Sequence, residues 1–418
     1  MAKVLCLQQS AANTMAASTT RFIFLACNSR ADGDGTTESV RQITYRSAGK
    51  FSNLYINILT NDRDASTFRT RVNVGNAAMV VSITGSTTGK FEDNVNTDTV
   101  TAAEEWNYSL ITGANGTVFT WRTTSVLFSA TTNTVGKTGG DATTINTAST
   151  TIVGPLCGDT IDDGETVDAT VGVIYRVGGT LSNFFVNIPT NARTTTTTIG
   201  SRIDSANGNL VVSVTSGATG FFEDTSNSDT IVSGSLVNGR CTTGTGTENI
   251  GLRGISADFT TTSNKMMYTA AAGRGATVLI SVTTYYLFAG ALRTDTTESN
   301  MIAESNLNFT GSLMQCNITA NTITAASTLT FRINSGAGAA QTVSITASTT
   351  GVFQDTVNTD VVVATDTIDY LLVTGGTGTS LVIRSISMLG DSSLSRNINT
   401  FERKTFRGVL RGVGRGSI

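Results

Sequence analysis

Thr87-Thr88-Gly89-Lys90-Phe91-Glu92-Asp93-Asn94-Val95-Asn96-Thr97-Asp98 is written three times in this chain. It returns as Ala218-Thr219-Gly220-Phe221-Phe222-Glu223-Asp224-Thr225-Ser226-Asn227-Ser228-Asp229 and as Thr349-Thr350-Gly351-Val352-Phe353-Gln354-Asp355-Thr356-Val357-Asn358-Thr359-Asp360. Phe91, Phe222 and Phe353 stand 131 residues apart. A period that long is a whole domain, so the chain reads as three domains in tandem.

Upstream, Leu54, Ile56 and Ile58 alternate with Tyr55 and Asn57. Phe184, Val186 and Ile188 repeat the pattern around Asn187, and Met314, Cys316 and Ile318 repeat it around Asn317. An apolar period of two is a strand with one buried face. Each copy closes on an asparagine, Asn61, Asn191 or Asn321. Val81-Ser82-Ile83-Thr84, with its partners Val212-Ser213-Val214-Thr215 and Val343-Ser344-Ile345-Thr346, is a second strand, rich in β-branched residues.

Within the repeated stretch the glycine suits a turn, the phenylalanine is a buried anchor, and the Asp/Asn run offers side-chain oxygens to turn backbone. A metal or ligand site at Asp93, Asn96 and Asp98 is the sharper reading. A calcium ion needs six or more oxygens, and the loop lacks the EF-hand spacing. Asx residues bonding their own main chain are therefore expected, with no metal and no cofactor.

Of 418 residues, 39% are hydrophobic and only 14% charged, and Thr, Ser, Asn and Gly fill the difference. Two prolines, no helical periodicity and many Gly/Asn/Asp/Ser turns describe an all-β protein. The net charge of −3 gives no basic field to draw nucleic acid as a main partner. No stretch nears the about 20 apolar residues of a membrane span. The opening Met1-Ala2-Lys3-Val4-Leu5-Cys6-Leu7 is too short an apolar run for a secretory signal, so synthesis in a cytoplasm is expected. Cys6, Cys27, Cys157, Cys241 and Cys316 form no CxxC pair and read as plain thiols.

The expected division is an N-terminal arm, 1–18; a first β-sandwich, 19–130; a linker, 131–147; a second sandwich, 148–289; a third, 290–390; and a basic amphipathic arm, 391–418. About eight strand-like segments per repeat suggest a two-sheet jelly roll, with an immunoglobulin-like topology as the alternative. Tyr108, Tyr268 and Tyr370 are read as equivalent, which forces an inserted surface loop at 233–263 into the second domain. Thr36-Thr37-Glu38-Ser39 recurs as Thr296-Thr297-Glu298-Ser299 soon after Tyr285-Tyr286-Leu287-Phe288. The second and third domains are thus expected to pack closely, with the first set apart. Both a ring and a rod remain open.

From Arg396 onward six basic residues face one acidic residue, Glu402, with Ile398, Phe401, Phe406, Val409, Leu410 and Val413 between them. Regular apolar interleaving suggests an arm that orders on another surface, anchored by Phe401, Phe406, Arg407, Leu410 and Arg411.

The chain has no histidine, which removes Ser/His/Asp and Cys/His catalysis and imidazole metal sites together. Gly375-Gly376-Thr377-Gly378 lacks the lysine and following helix of a phosphate loop. The acidic pieces Asp32-Gly33-Asp34-Gly35 and Asp162-Asp163-Gly164-Glu165 become Arg293-Thr294-Asp295 in the third repeat, which favours turn chemistry over a glycosidase pair. The chain is not expected to be an enzyme.

Val343 to Thr356, then Tyr370 and Thr374-Gly375-Gly376-Thr377-Gly378-Thr379, resemble the Thr/Gly-rich β-sandwich modules of tailed-bacteriophage virion proteins. The resemblance covers the cores of the repeats, about two-thirds of the chain, and implies a virion-surface protein of the capsid decoration (cement) or fibre type. It carries over no functional residue. The partners expected are the major capsid protein or other virion proteins, with self-association as a further option and no membrane. A tail-fibre or receptor-binding protein, and a subunit of an extracellular filament or surface layer, are the alternatives.

Overall fold

The computed structural model describes residues 3–25, 34–132, 134–139, 143–156, 161, 165–261, 263–336 and 340–392. The first domain contains β1 (Lys3–Thr14), β2 (Thr20–Ile23), β3 (Asp34–Gly35), β4 (Ile43–Tyr45), β5 (Gly49–Asn61), β6 (Ser66–Val72), β7 (Gly75–Ile83), β8 (Gly89–Val100), β9 (Glu104–Ile111) and β10 (Phe119–Ala130). One sheet has the order β1-β10-β5-β8, and the other β3-β2-β9-β6-β7 with β4 also on β9.

Setting aside the short β3 and β4, the first of eight strands pairs with the last, the second with the seventh, the third with the sixth and the fourth with the fifth. That nesting is a jelly roll, and it rules out the immunoglobulin-like alternative. The second domain repeats all four pairings: Thr134–Gly139 on Gly254–Thr261, Thr151–Gly154 on Leu236–Thr242, Gly179–Ile188 on Gly220–Ile231, and Thr197–Ile203 on Ala206–Val214. So does the third, with Lys265–Leu279 on Ser380–Asp391 as its first and eighth strands.

The central strands form where the alternation predicts. In β7, Met79, Val81 and Ile83 are buried while their neighbours face solvent. Aromatic side chains fill each sandwich. Phe51 lies 5.0 Å from Trp106 and 5.2 Å from Phe128, and Phe288 of the third domain touches Tyr268, Phe309, Phe331 and Tyr370. Each such ring contributes about 2 to 3 kcal/mol on burial.

Three expected boundaries are corrected. The N-terminal "arm" contains β1, which pairs along β10 from Lys3 to Thr14. The "linker" contains Thr134–Gly139, the first strand of domain two. The "inserted loop" 233–263 contains that domain's seventh and eighth strands, Leu236–Thr242 and Gly254–Thr261. These errors share one cause. The residue matching Tyr108 is Gly239, since both lie opposite the same position of the fourth strand, Thr70 or Ser201. Tyr268 instead lies on the first strand of domain three. The domains therefore begin at Lys3, Thr134 and Lys265, 131 residues apart, and short connections separate them.

Candidate functional site at the domain junctions

The repeated acidic stretch binds backbone. Asp93 lies on β8, an edge strand, beside a register shift opposite Ser52 and Leu54. Its Oδ1 accepts the N–H groups of Val95 and Asn96, which shapes the bulge. Its Oδ2 accepts the N–H of Val80, on the edge strand β7 of the opposite sheet, at 2.8 Å. Asp224 and Asp355 do the same toward Val211 (3.0 Å) and Thr342 (2.9 Å). Asp98 accepts the N–H of Ala78, and Asp229 that of Asn209. Carboxylates thus take the place of a missing strand and stitch shut the open side of each sandwich. Burial alone would raise these carboxyl groups, but the N–H donors outweigh it and hold Asp93, Asp224 and Asp355 below the usual range. Among the described residues no group of His, Cys, Asp and Glu is placed to hold a metal ion. Cys316 is buried and its thiol pushed up to about 12.

A second device also occurs three times. Arg71 on β6 donates Nε to Glu38 in a one-turn helix, Glu38–Arg41. Arg202 pairs likewise with Asp168, and Arg332 with Glu298. Each pair fixes its helix against the domain's own sheet, leaving the next backbone carbonyl facing a neighbouring domain. Asn317 donates to the carbonyl of Ala169 at 2.9 Å, Asn57 to that of Ser299 at 3.4 Å, and Asn187 to that of Ser39 at 3.5 Å.

Domain three thus reaches domain two, domain one reaches domain three, and domain two reaches domain one. The same donor position meets the same acceptor position each time, so the domains close into a pseudo-threefold ring. The expectation that the first domain stands apart is overturned, because it contacts both others.

Around this frame two junctions share an arginine–acid pair, and the other contacts differ. Between domains one and three, Arg122 meets Asp295 at 2.7 Å, and Lys90 meets Glu304 at 2.5 Å. Between three and two, Arg384 meets Glu165 at 3.1 Å, and Gln315 donates to the carbonyl of Ile174 at 2.7 Å. Between two and one, Arg46 pairs with Glu223, and the Ser47 hydroxyl donates to Asp258 at 3.1 Å. Burial raises the Asp258 carboxyl, and Asn183 and Ser47 oppose the shift. A cleft there is lined by Ile43, Tyr45, Arg46, Asn183 and Asp258, too small for an organic ligand.

The junction residues were visible in the sequence only as strand and loop letters. Asn57, Asn187 and Asn317 sit at outward positions of an alternating strand, and the Thr-Thr-Glu-Ser repeat contains two of the acceptors. Of the acidic pieces, Glu165 serves a junction, while Asp32, Asp162 and Asp163 lie outside the described residues. Phe401, Phe406, Arg407, Leu410 and Arg411 also lie outside them.

The fold and its junctions define a class: a single-chain ring of three jelly rolls. No family model and no curated protein matches the sequence. Among solved structures the chain is similar to one described under the triple jelly roll fold and turret assembly in an archaeal virus. Identity there is 14%, over 84% of this chain and 82% of that one, with a TM-score of 0.20. It is also similar to one from Sulfolobus turreted icosahedral virus, at 12% identity over 82% and 81%, with a TM-score of 0.16. At such scores the jelly-roll assignment stands on this chain's own strand pairings.

Proposed function

We propose that the chain is a non-enzymatic structural protein of a virion, a decoration protein seated on the outer surface of a viral head at a position of threefold or local sixfold symmetry. The observation that carries this is the closed ring of junctions, Asn57 to Ser299, Asn187 to Ser39 and Asn317 to Ala169. A ring of three like domains offers one surface in three orientations, which matches a lattice that repeats by threefold rotation.

Head-to-tail contacts that close leave no free end of that contact to propagate, which disfavours a filament built through it. Carboxylate-stitched edges likewise limit addition of strands from other chains. The weakly charged Thr/Ser/Asn surface suits a durable spacer, and the chain has no histidine to serve His-based catalysis.

The test is to mix the purified chain with undecorated heads and count bound copies by electron microscopy. Saturable binding at threefold or local sixfold positions is expected. Failure to bind heads, with recovery of the chain on tails, in cell-surface filaments or as the shell itself, overturns the decoration reading.

A further inference from the structure

One arginine recurs at all three junctions. Arg122, Arg253 and Arg384 are equivalent, since Thr123, Gly254 and Ser385 directly after them pair with Asn57, Asn187 and Asn317. The position that answers them lies three residues before the acid of each one-turn helix, and there the chain has Asp295, Gly35 and Glu165 respectively. Arg122 and Arg384 find carboxylates at 2.7 and 3.1 Å. For Arg253, at the junction between domains two and one, the matching residue is a glycine.

The gap at that glycine is bordered by positive charge. A β-carbon on Gly35 would stand 2.9 Å from Nε of Arg41, an arginine where the other two domains have Val171 and Met301. Arg41 is 4% exposed, and its guanidinium lies 5.5 Å from the centre of the Phe24 ring. A β-carbon on Gly254, next to Arg253, would come 3.7 Å from the edge of the same ring. Both guanidinium groups therefore belong to this one junction. Nη1 of Arg253 is buried there and has no hydrogen-bond partner. A buried charged donor without an acceptor is costly, and an oxygen brought from outside would relieve it.

We infer that the junction between domains two and one binds a small oxyanion of the sulfate or phosphate kind, which stands in for the carboxylate that Asp295 and Glu165 supply at the other two. Guanidinium groups take such oxygens in paired, charge-assisted hydrogen bonds. Because Nη1 of Arg253 is buried, the slot suits a dissolved ion and not a length of polymer. This holds whether or not the chain decorates a head.

The test is equilibrium dialysis of labelled sulfate against the full chain at constant ionic strength. One saturable site per chain is expected, with inorganic phosphate competing for it. R253Q is expected to weaken binding at least about tenfold. G35D/R41M copies Asp295 and Met301 of domain three, gives Arg253 a carboxylate of the chain's own, and is expected to lose the site as well. If R253Q misfolds, this second variant decides, because it borrows a junction that already folds. No saturable site in the wild type overturns the inference, and so does equal binding in both variants, which would show an adventitious ion only. A site that appears only in D34N overturns it too, since the chain's own Asp34 would then fill the gap.

Discussion

Arg122 and Asp295 meet at 2.7 Å across the junction between domains one and three, the one junction that no direct connection between successive domains spans. Domains one and two, and two and three, are held together by short stretches of chain. The closing junction depends on side chains, and there domain one supplies cations, Lys90 and Arg122, against acids of domain three. Removing one member of a largely buried pair leaves an unpaired charge at a cost of about 3 kcal/mol. Arg122→Ala is therefore expected to lower the unfolding temperature by several degrees and to raise the solution radius of gyration as salt is added. A variant with unchanged scattering and stability would show that the pair does not close the ring.

Asn317 makes the shortest of the three junction bonds. Asn317→Ala is expected to cost about 1 kcal/mol and to speed amide exchange in the one-turn helix Asp168–Val171 of domain two. The check is exchange at those amides, with Asn57→Ala as the parallel case for Glu298–Asn300.

Asp369 is buried beside Glu298 and Arg332. Burial first, then the Glu298 charge, push its carboxyl up to about 8, with Arg332 opposing. The folded chain thus holds a proton that the unfolded chain, with a carboxyl near about 4, releases. Its stabilising contribution is full below that unfolded value and falls as pH rises toward 8. Asn107 and Asn238 hold the matching positions, opposite Arg71 and Arg202. Asp369→Asn should flatten the decline in unfolding temperature between pH 5 and 9, and raise it by a few degrees at pH 8.

Asp93, Asp224 and Asp355 titrate in the opposite sense. Their folded carboxyls are held below the unfolded value, so their contribution is full above about pH 4 and is lost as pH falls further. Asp93→Ala is expected to cost about 2 kcal/mol, to reduce the acid sensitivity of unfolding, and to expose the β7 edge. Amide exchange at Val80 should rise most, and dimers should form at high concentration.

The repeat, the all-β class and the inward positions of the central strands were legible because one buried face imposes a period of two that Leu54, Ile56 and Ile58 display without help from the rest of the chain. The first strands were not. Gln8-Gln9-Ser10-Ala11-Ala12 and Val135-Gly136-Lys137-Thr138-Gly139 show little alternation, and their strand character comes from pairing with the eighth strand. Gly239, in place of an aromatic, hid the seventh strand of domain two and shifted every boundary after it. The junctions were illegible for another reason. Each joins residues more than 140 positions apart, and an asparagine on an outward strand position looks the same whether water or a neighbouring domain lies beyond it.

A ring built from three separate chains must present three identical faces. Here one continuous chain makes the ring, so each sector can carry its own residues at geometrically matched positions, as Gly35, Glu165 and Asp295 do. Such a ring works as a pointer. Seated on a symmetric lattice, it gives one of three equal directions a chemical address, and a partner that reads only one sector arrives at one place in three.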